Sequence, residues 1–266
     1  MADGGIIEIG LWQLSAAYAF VVLLLVLVRW RGIRREREII VSSVRMTLQL
    51  VLVGYVLGFV FESRHPAFSI GFLVAMLVFA VYNTYKRVKH PLSPRLRRVI
   101  ALSMTAGTTV SLGFFILVVL MLDPWYSPRY FIPIAGMIVG NSMTGISLGV
   151  NALIQGIHRQ RQQIEGSLML GARPQEAVKE IANEAFDSAI LPTINSMVGM
   201  GIVFLPGMMT GQILAGLSPI TAIEYQIAIM LGILGSVSLT VILFVYYGCR
   251  TFFNERAQLL DSDRTS

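Results

Sequence analysis

Residues able to carry chemistry are few in this chain. It has three histidines, His65, His90 and His158, and one cysteine, Cys249. A lone cysteine excludes an intrachain disulfide and a zinc site built on thiolates. No H-E-x-x-H ligand pair occurs, and no pair of aspartates lies inside an apolar stretch, so the usual intramembrane enzymes are not expected. A G-x-x-x-x-G-K-S/T loop, which would cradle ATP phosphates, is also missing; the chain contains no Gly-Lys dipeptide at all. If ATP drives this protein, another chain is expected to bind it. Seven of the 13 methionines fall between 137 and 209: Met137, Met143, Met169, Met197, Met200, Met208 and Met209. Thioethers are soft ligands that favour Cu(I) over iron, but Met more often fills gaps between helices. No ferrous site of His and carboxylate is visible, and metal ligands are left unknown.

The remaining polar groups lie within apolar surroundings. Neutral ones are Gln49, Asn83, Asn141, Ser142, Asn151, Asn195 and Ser196. Such groups often act as glue between membrane helices. Ionisable groups at that depth, which mark proton and ion pathways, are nearly absent. Arg45 is placed about one turn inside its span, within reach of the interface by snorkelling, and Asp187 at the start of another. This argues against a proton-coupled carrier.

The elements that must position these groups are membrane helices. The chain of 266 residues is 55% hydrophobic and only 14% charged, with a mean hydropathy of +0.69. A soluble domain carries about 25% charged residues, so lipid is the expected solvent. Stretches long enough to cross a bilayer are read at 11–30, 43–61, 66–85, 99–122, 131–155, 188–207 and 225–248. The first lacks a basic leader and a small-residue cleavage site, so it reads as retained.

Basic residues set the orientation. Eighteen of the 21 Lys and Arg follow the first, third, fifth and seventh stretches, as in Arg29–Arg37, Lys86–Arg98 (including Lys89), Arg159–Lys179 and Arg250–Arg264. Arg64 and Arg129 lie in the opposite loops. Positive charge marks cytoplasmic loops. An outer N-terminus and a cytoplasmic C-terminus are therefore expected, with 31–43, 86–98 and 156–187 inside and 62–66, 123–130 and 216–224 outside. The net charge of +6 follows from this topology and needs no nucleic acid.

One long polar insertion, 156–187, interrupts the pattern. Its apolar residues Ile164, Leu168, Ala177, Val178, Ile181 and Ala182 recur at helical spacing. Gly171-Ala-Arg-Pro174 breaks the run, so helix, turn, helix on the cytoplasmic face is expected. A plain amphipathic interfacial pair has the same composition. The sixth stretch is irregular, with Pro192, Gly199, Gly201, Pro206, Gly207, Gly211 and Gly216. Breaks of this kind are tolerated in lipid only where protein or a watery cavity satisfies the backbone, and they often border transport sites. Close packing through small residues is the alternative.

Glu165-Gly166-Ser167-Leu-Met-Leu-Gly171 resembles the EAA-x-x-x-G signature of ABC-transporter permeases. Ile181 also falls where that pattern has Ile, whereas Leu191-Pro192 lies about eight residues later than the pattern's Leu-Pro. Arg45-Met-Thr-Leu-Gln49-Leu-Val-Leu-Val-Gly54, Ile132-Pro-Ile-Ala-Gly-Met-Ile-Val-Gly-Asn141, Leu205-Pro-Gly-Met-Met-Thr-Gly211 and Ala222-Ile-Glu-Tyr-Gln226 are similar to FetB-type iron-export permeases, and the plant aluminium-tolerance membrane subunits resemble the same family. The resemblance runs in order from about residue 40 to 259. It implies the membrane half of an ABC exporter in the cell membrane, with a separate ATPase subunit and a homodimer of permeases. It ties bacterial members to iron export and oxidative-stress resistance, and plant members to a sugar-nucleotide substrate.

The expected fold is an all-α polytopic bundle of about seven spans in a single permease domain, 1–266, with 156–187 as a coupling pair. Glu165, Gly166, Ser167 and Gly171 are the coupling candidates. Asn141, Asn195, Gly207, Met208 and Met209 are the transport-path candidates, and Arg45 and Gln49 are singled out as intramembrane polar groups. No cofactor is expected on this chain. A non-ATP carrier or channel for a small solute, such as a sugar nucleotide, is the alternative function.

Overall fold

A computed structural model describes residues 9–62, 65–88 and 90–260; Arg64, Lys89 and Arg264 lie outside them. Contacts divide the chain into two units, Met1–Arg64 and His65–Ser266. The described residues are almost entirely helical and carry only two isolated β-bridges.

The first unit holds α1 (Leu11–Ala17), α2 (Ala19–Trp30) and α3 (Glu36–Glu62). The first two form one apolar run of 20 residues with a joint at Tyr18. The Tyr18 hydroxyl hydrogen-bonds to Thr47 Oγ1 and so ties the joint to α3. α3 begins seven residues before the expected start of span two. Its first turn bears Glu36 and Glu38, acidic groups that suit the positive end of a helix dipole. Arg45 therefore lies more than two turns into the helix, deeper than its place in the sequence suggests. Arg45 and Gln49 are both exposed within this unit.

The second unit is a helix bundle. Its elements are α4 (Pro66–Arg87), α5 (Pro94–Phe114) continued by a π-helical turn (Phe115–Val119), α6 (Pro128–Arg159), α7 (Arg161–Met169), α8 (Pro174–Ala177), α9 (Lys179–Gly199), α10 (Gly207–Leu214) and α11 (Pro219–Gly248), which ends in a 3-10 turn at Cys249–Phe252. Proline opens α4, α5, α6, α8 and α11, where its missing N–H costs nothing and its fixed φ suits the first turn. His65 Nδ1 and Ser93 Oγ cap α4 and α5 by accepting from Ala67 N and Leu96 N, both at 3.2 Å.

α6 packs against α4, α9 and α11, and α11 also meets α5, α9 and α10. Glycines permit the close approach of α6. A Cβ on Gly145 would lie 2.6 Å from Val237 Cγ1 and 3.3 Å from the Ala189 carbonyl, and one on Gly149 would lie 3.4 Å from the Ala185 carbonyl. Ser142 and Ser236 hydrogen-bond across α6 and α11 at 3.0 Å, fully buried. This is the interhelical glue expected of neutral polar residues.

Among the described residues, six helical stretches are long and apolar enough to cross a membrane: 11–30, 36–62, 66–87, 94–119, 128–159 and 219–252. They correspond to six of the seven stretches read from the sequence; the first has the same bounds, the fourth starts and ends earlier, and the other four are longer at one or both ends. The chain is therefore a polytopic all-α membrane protein. The remaining stretch, 188–207, is not one helix: α9 ends at Gly199, and seven non-helical residues precede α10.

The insertion also differs from the expected surface pair. α6 continues through Arg159, so His158 is helical. The second helix is a single turn, α8, after which 179–187 already belong to α9. Ile164, Val178 and Ile181 are almost fully buried because this apolar stripe packs into the bundle core, with Ile181 lying over Gly156 of α6. Only α7 and the turn after it remain a separate outer feature.

Candidate functional site

The run from Glu165 to Gly171 folds as α7 and its C-terminal stop. Glu165 Oε1 accepts from Arg161 Nε at 2.8 Å, one turn earlier. Gly166 and Ser167 are half-buried, and Ser167 Oγ donates to the Gln163 carbonyl at 2.9 Å. Gly171 has φ +92, a left-handed conformation that favours glycine. Its N–H donates to the Leu168 carbonyl and the Ala172 N–H to the Ser167 carbonyl, both at 3.0 Å. These two bonds form a Schellman stop. The turn is then closed by Arg173 N, which donates to Glu176 Oε2 at 3.0 Å.

This stop lifts two apolar side chains clear of the bundle. Met169 is 87% exposed and Leu170 91% exposed. In the sequence Met169 stands out only as one of several methionines, and inside a polar insertion both look like ordinary helix-face residues. Large apolar groups presented together on a polar protrusion mark an interaction surface.

The second candidate region is the break between α9 and α10. Gly199 ends α9 with the Phe204 ring 3.1 Å from where its Cβ would be. Gly201 has φ +82, and Pro206 sets the start of α10. Within the break, Gly201 N donates to the Phe204 carbonyl at 3.0 Å and Val203 N to the Gly199 carbonyl at 2.9 Å. Among the described residues, no backbone N–H reaches the carbonyls of Met200, Gly201 or Ile202. Gly201, Gly207 and Gly211 would meet nothing within 4 Å if they carried a Cβ. Unlike Gly145 and Gly149, they make no tight packing within this chain.

The path candidates are dispersed around this break. Gly207 opens α10, Met208 is half-buried and Met209 is buried. Asn195 is exposed on α9. Asn141 is exposed on α6 and donates Nδ2 to the Met137 carbonyl of its own helix at 2.8 Å. No hydrogen bond joins Asn141 to Asn195 among the described residues.

The structure adds a group that the sequence reading used only as part of a motif. Gln226, on α11, is 6% exposed. Its Nε2 lies 3.7 Å from Met200 Sδ, in the break, and its Oε1 has no partner. Gln212 Oε1, on α10, is likewise buried without one. A buried polar oxygen left unpaired costs about 1–3 kcal/mol, so each of these groups is an unusual feature of its helix. The signal in the sequence was a glutamine inside the apolar run 222–233. A larger cleft of about 690 Å3 runs between α5 and α11, but Val110, Phe114, Ile227 and Leu231 make it apolar and only Glu224 brings charge.

Comparison with known proteins places this fold among membrane proteins. The chain is 37% identical over 249 residues to a UPF0014 membrane protein of Synechocystis sp., covering 94% of both. It is 34% identical over 248 residues to the probable iron export permease protein FetB of Escherichia coli, covering 93% of this chain and 94% of that one. It is 35% identical over 250 residues to the protein ALUMINUM SENSITIVE 3 of Arabidopsis thaliana, covering 94% and 90%. No solved structure matches. The family pattern extends over residues 11–253, from the first apolar run to the end of the last, and the chain therefore belongs to the Uncharacterised protein family (UPF0014).

Proposed function

We propose that this chain is the membrane-spanning permease subunit of an ABC exporter, driven by an ATPase on a separate chain and moving iron or another metal ion or complex out of the cytosol. The observation that carries this reading is the exposed Met169–Leu170 tip, held rigid by the Gly171 stop beside the Glu165 motif. Fully burying each side chain in a partner's groove is worth about 1.5–3 kcal/mol, enough together to anchor a coupling contact. α7 follows α6 after one residue, and α8 leads into α9, so force on the tip acts on two helices of the core. The similarity to a probable iron export permease supports the cargo and the direction. In this reading the basic loops face the cytoplasm, α9 and α10 together make the sixth, interrupted crossing, and two permease copies enclose the path. Gln226, Met200, Asn195 and the 200–206 carbonyls line it. Carbonyls and amides hold a cation weakly enough to release it.

The experiment is purification of the tagged protein from its native membranes. One nucleotide-binding chain is expected to co-purify and to be lost from the Met169→Glu, Leu170→Glu double variant. In proteoliposomes the wild-type complex is expected to move ferrous iron in an ATP-dependent way. A permease that purifies alone, or a double variant that keeps its ATPase, rejects the docking role.

A further inference from the structure

The fold brings together two histidines that are 68 residues apart in sequence. His90 lies in the connection between α4 and α5, and His158 on the last turn of α6. Their ring centroids are 5.5 Å apart. Both line a cleft of about 560 Å3 with Gln155, Arg159, Glu184 and Ser188. His158 is three residues before Arg161, the first residue of α7.

The separation suits a shared metal ion. Imidazole nitrogen binds such ions at about 2.0–2.1 Å, and two imidazoles on a tetrahedral ion then have ring centroids about 5.2 Å apart. His158 is exposed and His90 half-buried, so one ring is anchored and the other is able to turn its nitrogen towards a common point. Imidazole selects borderline first-row ions such as Fe, Ni, Cu and Zn over Mg or Ca.

The local charge fits as well. Arg159, the neighbouring cation, lies 3.6 Å from Glu184 across α6 and α9. That carboxylate offsets the guanidinium in the same cleft. No cluster of three or more His, Cys, Asp or Glu exists among the described residues. The protein therefore supplies two ligands and water the others, which makes a site for capture and release rather than for permanent retention.

We infer that His90 and His158 form a binding site for a divalent first-row transition metal ion, placed at the α7 end of the bundle to load cargo. The loading role rests on the export reading; the binding of metal does not.

The test titrates the purified full-length protein in detergent with Co2+, whose visible absorption reports imidazole coordination, and with Fe2+ under anaerobic conditions by calorimetry. One saturable ion per chain is expected. Changing even an outer-shell partner of a metal ligand weakens affinity about 10–100-fold, so His90→Gln and His158→Gln are each expected to weaken binding at least tenfold. His65→Gln, at the α4 cap, is expected to change nothing. A wild-type protein without saturable binding, or a His90→Gln, His158→Gln protein that binds as before, overturns the site. Iron efflux is measured on the same variants. Binding and efflux lost together support loading, and efflux retained after binding is lost overturns it. If the wild type binds Co2+ through these histidines but exports no iron, the metal site stands and the export reading falls.

Discussion

Gln226→Leu is expected to stabilise the protein and stop transport. Oε1 of Gln226 is buried without a partner, and its Nε2 makes one long contact with Met200 Sδ at 3.7 Å. Removing the unpaired oxygen returns about 1–3 kcal/mol, while the amide-to-sulfur contact is worth less than the roughly 1 kcal/mol of an ordinary hydrogen bond. Leucine has nearly the same size, so the packing loss is small. The net gain is about 1–2 kcal/mol, which in a domain of 150–250 residues raises Tm by about 2–8 °C. Cys249 is buried and is the one cysteine of the chain, so a thiol-reactive dye reads unfolding directly in detergent. ATP-dependent iron efflux from proteoliposomes reads function. A raised Tm with intact efflux would make Gln226 an unsatisfied core residue with no part in transport. A Tm lowered by several degrees would mean that the oxygen is paired, and the argument from its burial would fail.

Gly145→Val should crowd Val237, 2.6 Å from the added Cβ, and destabilise by about 1–3 kcal/mol in the same thermal assay, whereas Gly211→Ala, in open space, should shift Tm little. Gly171→Pro cannot adopt φ +92 and Glu165→Lys breaks the Arg161 pair; both are expected to uncouple ATP hydrolysis from efflux while the protein still inserts, and normal coupling in both would reject the role of α7. In a Cys249→Ala background, an impermeant thiol reagent applied to sealed cells should label Tyr126→Cys and not Pro94→Cys; the opposite pattern would invert the topology. Asn195→Cys and Met208→Cys should react with a small water-soluble reagent at rates that change with nucleotide, and silence at both in every state would place the path elsewhere.

Much of the architecture was legible in advance because lipid imposes a one-dimensional rule. A helix that crosses hydrocarbon must be apolar along its length, and six such stretches read from composition are helices here. Helix ends were less legible. α3 starts seven residues early and α6 runs past its apolar stretch to Arg159, since hydropathy marks the membrane rather than the end of hydrogen bonding. The stop at Gly171 and the start at Pro174 were readable from residue type, because φ +92 favours glycine and proline fits a first turn.

The chain's sequence by itself determined that this is an all-helical membrane protein, where its charges gather, and that the stretch 188–207 is interrupted. These follow from local chemistry: apolar length, residue charge and backbone permissiveness act within a few neighbours. Only the tertiary structure decided that Ile181 is core rather than cytoplasmic surface, that Met169 and Leu170 project, that Gln226 reaches the break, and that His90 stands beside His158. Each depends on which helix faces which, and the close fit of Gly145 and Gly149 on α6 to α9 and α11 sets that pairing through contacts that no single segment contains.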